Sequence, residues 1–476
     1  MSGVLYCVVL AVYNLYLHPL SKYPGPKLAS ISNLWYVKAW MSGRYPFYLQ
    51  EAHRTYGDIV RIAPNELSFV TVEAYKDIYS QGGETNARFV KSKFYDTGER
   101  ILGVAQVQDP DEHQRQRKTL ARPFSLRSLR EQESVIHNYT NKFLMQIGRL
   151  GHSGGPGIDM KQALNWLTFD IIGDLAFGES VGAVESGKTH PWVSLIVEST
   201  YFYMLNSTRK RFPLLNLVLP FVITLDAAAK WRMHQRFTTE KTEKRIALGT
   251  RLERNDFFSH LLKEGTISKD ELKAQANTLI IAGSETTSTV LTGITYCLLR
   301  NKASLNRLTE EIRSTFTSLD EISGHATISL PYLKATIEEG LRLLPPIAFG
   351  PPRVSPGATV AGHYIPPGNI VSVDNWSVFR DPRNFREPES FLPERWLDLK
   401  PSDNKAAFVP FSLGPHACIG TSLAYLEMRI ILAKMVWLYD WELVNTELDF
   451  FQEARLYLLW DKPSVLVRFH ERTGTE

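Results

Sequence analysis

Cysteine is scarce in this chain. Its 476 residues include three, Cys7, Cys297 and Cys418, so no disulfide scaffold can form and no C-x-x-C pair offers a zinc knuckle or a thioredoxin-like centre. A cysteine that matters here acts alone. Charge of one sign is also scarce: 54 Lys and Arg against 50 Asp and Glu leave a formal charge of +4, too small and too dispersed for a nucleic-acid binder. No G-x-G-x-x-G loop occurs, which disfavours a dinucleotide domain. Reducing equivalents, if the chemistry needs them, would have to come from elsewhere. Internal repeats and low-complexity linkers are missing too. The apolar run Val4 to Leu17 reaches about 21 Å as a helix, short of the roughly 30 Å of bilayer hydrocarbon.

What the chain does contain is helical periodicity. Leu164, Leu167, Ile171, Ile172 and Leu175 recur at helical spacing, as do apolar residues from Leu272 through Leu299. Asp58 to Val70 alternates instead, with Pro64-Asn65 in the middle, and predicts two short strands joined by a turn. The expected fold class is mainly α with small β-sheets. Residues 1–22 are expected to form a membrane anchor or membrane-associated helix, its cationic flank at the headgroups. Tyr23-Pro24-Gly25-Pro26 makes a stiff hinge, and residues 23–476 are expected to form one large domain.

Three segments carry chemistry. Phe408 to Gly420 reads FVPFSLGPHACIG and runs into a helical stretch from near Thr421, so Cys418 sits in a glycine-bounded loop at a helix N-terminus, which favours a thiolate. Asn277 to Leu291 is an apolar helix interrupted by Gly283, Ser284, Glu285, Thr286 and Thr287, groups that are costly to bury unless they face something polar. Thr286 can compete for a backbone carbonyl and, with Gly283, loosen the helix there. Glu339 and Arg342 lie one helical turn apart and can meet, while Arg395 follows in a Pro- and Trp-rich segment.

Phe411, Gly414, His416, Cys418 and Gly420 fit the pattern F-x-x-G-x-[RH]-x-C-x-G, and the chain thereby resembles the cytochrome P450 family. Glu339-x-x-Arg342, Pro393-Glu394-Arg395-Trp396 and Ala282-Gly283-Ser284-Glu285-Thr286-Thr287 resemble further motifs of that family. The resemblance implies the cytochrome P450 fold, with haem (iron protoporphyrin IX) between a long distal helix and a proximal cysteine loop. Cys418 would be the iron ligand and the metal residue. Glu285 and Thr286 would be catalytic, relaying protons during oxygen activation. His113, Arg117, Arg353 and His416 would bind the haem propionates, and Glu339, Arg342 and Arg395 would form a structural triad.

The same resemblance implies a monooxygenase that uses O2 and electrons from an NADPH-dependent P450 reductase. Six basic residues from Arg115 to Arg130 would form a face steering that partner. The substrate would be a lipophilic secondary metabolite such as a terpenoid or polyketide intermediate, because the text resembles microsomal P450s of filamentous fungi. Hydroxylation is the default outcome, with desaturation, epoxidation and ring closure as alternatives, and a non-catalytic haem-thiolate sensor or electron carrier as the other class. Phe89, Phe94, Tyr95, Leu279, Ile347, Phe349, Leu456 and Leu458 would contribute to an apolar pocket, with Arg88, Lys91 and Arg455 available for an acid or hydroxyl. The expected location is the endoplasmic reticulum membrane, with the catalytic domain facing the cytosol.

Overall fold

Helices dominate, as the periodicity predicts. A computed structural model describes residues 2–80, 88–212, 225–249, 256–264, 267–397 and 403–472. The helices that matter for the site are α1 (Ser2–Val12), α2 (Pro110–Ala121), α3 (Leu126–Leu150), α4 (Met160–Phe177), α5 (Pro191–Arg211), α6 (Leu225–Leu248), α7 (Lys269–Arg300), α8 (Pro331–Leu343) and α9 (Thr421–Leu438). Their boundaries are local chemistry. Asp109 accepts the Glu112 amide at 2.8 Å to open α2, and Ser268 accepts the Glu271 amide at 3.1 Å to open α7. Pro331 starts α8, and Leu344 before Pro345 ends it.

The core is built on α4 and α7. Apart from Lys161 and Gln162, every side chain of α4 is buried, so the helix is covered on all sides. Helix α7 lies against it closely enough that a Cβ on Gly283 would come within 2.6 Å of Ile172. Glycine there permits helix contact and does not loosen α7, which runs unbroken for 32 residues. Thr286 does donate to the Ala282 carbonyl at 2.7 Å, within a regular helix.

The main sheet starts with the predicted hairpin, β1 (Ile59–Ala63) and β2 (Glu66–Phe69). It continues with β3 (Val90–Lys91), β4 (Arg353–Val354) and β5 (Ile370–Val373), in the spatial order β1-β2-β5-β4-β3. Only β2 and β5 pair in parallel. Register sets Lys91 opposite Arg353. Like charges facing each other across strands are destabilising, so this pair calls for a counter-charge.

A buried ion-pair network ties α8 to the segment that precedes the cysteine loop. Glu339 receives Arg342 at 2.9 and 2.8 Å, Arg395 at 3.1 Å, the Trp396 indole at 2.9 Å and the Leu392 amide at 2.9 Å. The three charged residues are essentially inaccessible to solvent. Asp403, which the motifs did not indicate, adds a second carboxylate at 2.7 Å from Arg395. Two carboxylates therefore balance two guanidinium groups, which is what makes the burial tolerable.

Helix α1 stands apart. Leu5, Tyr6, Val8, Val9, Leu10 and Val12 are exposed around it. Its base is fixed by buried Asn14, which donates to the Ile31 carbonyl at 3.0 Å and accepts from Arg61 through its own carbonyl at 2.8 Å. No helix among the described residues is long and apolar enough to cross a membrane.

Candidate active site

Cys418 occupies the loop that leads into α9. Gly414 holds φ at +63°, a left-handed turn that favours glycine, and the chain then passes through a short helical turn to the cysteine. The Cys418 amide donates to Phe411 at 2.7 Å, Thr421 donates to the Cys418 carbonyl at 2.9 Å, and Arg117 donates to the Ala417 carbonyl at 2.6 Å. These bonds fix the loop from within and from α2.

The sulfur faces a cavity of about 460 Å³ whose wall also includes Ala282, Thr286 and Thr287 of α7. The cysteine and the threonine singled out in the sequence thus line one space. Cys418 is open to this space, and crowding by the surrounding protein atoms raises its thiol pKa, while the Gly420 amide, the Thr421 hydroxyl and the Arg117 charge pull toward the expected thiolate. A cation bonded to the sulfur would reverse this balance.

One wall is cationic. His113 and Arg117 come from α2, Arg353 from β4, His416 from the loop and Lys91 from β3. The His113 and His416 rings lie 4.2 Å apart, with His416 Nδ1 at 3.1 Å from His113 Nε2. Burial and the nearby positive charges push His113 down to about 4 and His416 down to about 2. Burial, then Arg353 and Arg117, push Lys91 down to about 7. Arg353 bonds the Tyr95 hydroxyl at 3.1 Å and the Pro352 carbonyl at 3.2 Å, while its buried Nε has no partner. Lys91, offered by sequence as a substrate contact, stands in this wall and donates to Val104 at 2.8 Å. The wall is short of negative charge and suits a ligand that carries carboxylates.

The distal side departs from expectation at Glu285. Thr286 lines the cavity, but Glu285 is not among its lining residues and is paired instead with Lys462, both side chains buried. The lysine also donates to Thr289 at 3.0 Å. Only the oddity of one lysine in the apolar stretch WDKPSVLV signalled it in the sequence. On the outer surface the basic face is thinner than six charges imply, because Arg115 is bonded to Glu112 and Glu271 and Arg127 to Glu131. Among the expected substrate contacts, Phe94, Tyr95, Ile347, Phe349 and Leu458 line the cavity, whereas Phe89, Leu279 and Leu456 do not. Arg88 instead lies 3.5 Å from Asp111, and Arg455 donates to the carbonyls of Gln452, Glu453 and Ala454.

A family model described as Cytochrome P450 matches residues 24–468. The chain belongs to the cytochrome P450 family. This P450 is 41% identical to the cytochrome P450 monooxygenase BOA3 of Botryotinia fuckeliana, with 98% of this chain and 94% of the relative covered. It is 39% identical to the cytochrome P450 monooxygenase btcC of Colletotrichum orbiculare, with 100% and 94% covered. It is likewise 40% identical to BOT4 of Botryotinia fuckeliana, with 98% and 90% covered. It is therefore a P450 monooxygenase, an enzyme that takes O2 and a small-molecule substrate, and the family's cofactor is iron protoporphyrin IX bound as haem-thiolate. The two haem carboxylates are the kind of charge that the cationic wall lacks.

Proposed function

We propose that this P450 holds haem through Cys418 and oxidises a lipophilic secondary metabolite, such as a terpenoid or polyketide intermediate, chiefly by hydroxylation. The observation that carries this reading is the shared cavity of Cys418 and Thr286. Haem bound there supplies the activation of O2 and the oxidant that attacks a substrate carbon.

The chain's own residues would do the rest. Cys418 offers its sulfur from a loop held by Phe411, Thr421 and Arg117. Arg117 and Arg353, with Lys91 beside them, would neutralise the two propionates, the neutral rings of His113 and His416 would offer them hydrogen bonds, and the unpartnered Nε of Arg353 would gain an acceptor. Thr286 would hold and pass a proton at its hydroxyl, which already has the Ala282 carbonyl as acceptor and faces the cavity. Glu285 would supply protons from behind the helix when its ion pair with Lys462 opens.

Electrons would come from an NADPH-dependent P450 reductase, because the chain has no dinucleotide-binding G-x-G-x-x-G loop of its own. Lys118 and Arg130 remain exposed for its approach. The all-round apolar surface of α1 supports membrane attachment, and with it a place at the endoplasmic reticulum membrane with the catalytic domain in the cytosol. The test is turnover: holoenzyme, reductase and NADPH are incubated with an extract of a fungal strain lacking this gene. A compound that disappears in favour of a product one oxygen atom heavier supports the reading. NADPH consumption with every compound left intact would refute it.

A further inference from the structure

The cavity wall includes a side-chain amide, Asn277, whose orientation follows from the chemistry of the groups behind it. Asn277 lies near the start of α7, is only 7% exposed and lines the cavity. Behind it, fully buried His234 of α6 lies 2.6 Å through Nε2 from the Asn277 Oδ1 position. On the other side of that ring, the Trp192 indole N–H of α5 approaches His234 Nδ1 at 3.1 Å.

An indole N–H can only donate, so Nδ1 must accept. Burial lowers the His234 pKa, so the ring is neutral and carries its single hydrogen on Nε2. That hydrogen must be donated, so the atom of Asn277 facing it must be the carbonyl oxygen. The amide nitrogen of Asn277 is then directed away from His234, and it has no hydrogen-bond partner among the described residues. Gln106, another amide of the cavity wall, lies 3.2 Å from the Thr278 hydroxyl, whose one hydrogen is shared with the Ala274 carbonyl at 3.1 Å, so no neighbour presets it in this way.

We propose that the relay Trp192–His234–Asn277 presets the Asn277 amide as a hydrogen-bond donor that reads an oxygen acceptor on the substrate. The substrate is accordingly a lipophilic molecule that already carries a carbonyl, ether or hydroxyl oxygen, and not a bare hydrocarbon. Asn277 precedes Thr286 by nine residues, about 13 Å along the helix axis, so the oxygen that is read lies remote from the carbon that is oxidised. In reaction order, an earlier oxygenation or an oxygen-retaining cyclisation must supply this substrate. Asn277 is the specificity residue, and His234 and Trp192 are positioning residues. This deepens the proposed function and rests on it.

The experiment is calorimetric binding to the holoenzyme with terpenoid pairs that differ by one carbonyl: limonene with carvone, and valencene with nootkatone. The ketone of each pair is expected to bind about tenfold more tightly, the yield of one net hydrogen bond in a buried site. Asn277→Leu should erase the difference while leaving hydrocarbon binding intact. Asn277→Asp keeps an acceptor for His234 and so guards against a folding defect; it should lose the ketone preference and favour the alcohols carveol and nootkatol. His234→Phe, which frees the amide to turn, should weaken the preference part-way. Equal binding of ketone and hydrocarbon by the unaltered protein, or a preference that survives Asn277→Leu, would overturn the proposal. Because binding is read without turnover, a ketone preference without any oxidation would count against the proposed function, and oxidation without the preference against this inference.

Discussion

Replacing Glu339 by alanine removes the acceptor for five hydrogen bonds at once. Arg342 would keep the carbonyls of Phe379, Pro388 and Ser390, and Arg395 would keep Asp403, so neither guanidinium is stranded entirely. Breaking a buried pair on one side nevertheless costs about 3–5 kcal/mol, because a desolvated charge loses its partner. With an unfolding entropy of about 2.1 cal/mol/K per residue over a chain of this length, that cost lowers Tm by roughly 4 °C. Haem retention is the sharper readout, since Leu392, Arg395 and Trp396, all bonded to Glu339, precede the loop that presents Cys418. Glu339→Ala should purify with most of its haem missing, and Glu339→Gln, which keeps one acceptor oxygen, should fall between. Haem content by pyridine haemochrome, together with a thermal melt, measures both. Purified Glu339→Ala with full haem occupancy and an unchanged Tm would refute the structural role given to the network.

Thr286→Ala should raise the hydrogen peroxide released per NADPH consumed while substrate affinity stays within about twofold; peroxide yield against product yield measures this, and unchanged coupling would count against the proton role of Thr286. Lys462→Met leaves the Glu285 carboxylate buried without its counter-charge, so it should slow turnover and enlarge the solvent isotope effect; identical kinetics would mean that the pair is structural only. Glu427 on α9 supplies a pH dependence. Burial pushes its pKa up to about 8, opposed by its bond to Thr287, whereas an unfolded glutamate titrates near 4.5. The unfolded chain therefore loses this proton first, and the stability Glu427 contributes is complete below about pH 4.5, declines as pH rises and is gone above about 8. Glu427→Gln should be more stable than the parent at pH 8 by on the order of 3 kcal/mol and equal to it at acid pH, and denaturant melts at both pH values would reveal a parallel shift if this is wrong.

Much of the site is legible in the sequence because its parts are local. The strand pair about Pro64-Asn65, the glycine turn before Cys418 and the Glu339–Arg342 contact all depend on neighbours within a few residues. What escapes is set by register and packing over long separations. Lys91 joins the cationic wall only because β3 pairs with β4, and Asp403 reaches Arg395 through a loop with no periodicity. Glu285 is adjacent to Thr286 in the chain, but successive helical residues point about 100° apart, so one faces the cavity and the other meets Lys462. His234 is one polar residue in a helix with many, and nothing local marks it as the partner of Asn277. Gly283 is visible as a glycine, but its reason, contact with Ile172, exists only in the packed pair of helices.

The most direct test is the absorption spectrum of the reduced carbon monoxide complex of the purified protein, recorded beside Cys418→His. The unaltered protein should give the strongly red-shifted Soret band of thiolate-ligated haem, and Cys418→His should give the unshifted band of imidazole ligation if it holds haem at all. An unshifted band in the unaltered protein, or a red-shifted band that persists in Cys418→His, would contradict the assignment of Cys418 as the iron ligand.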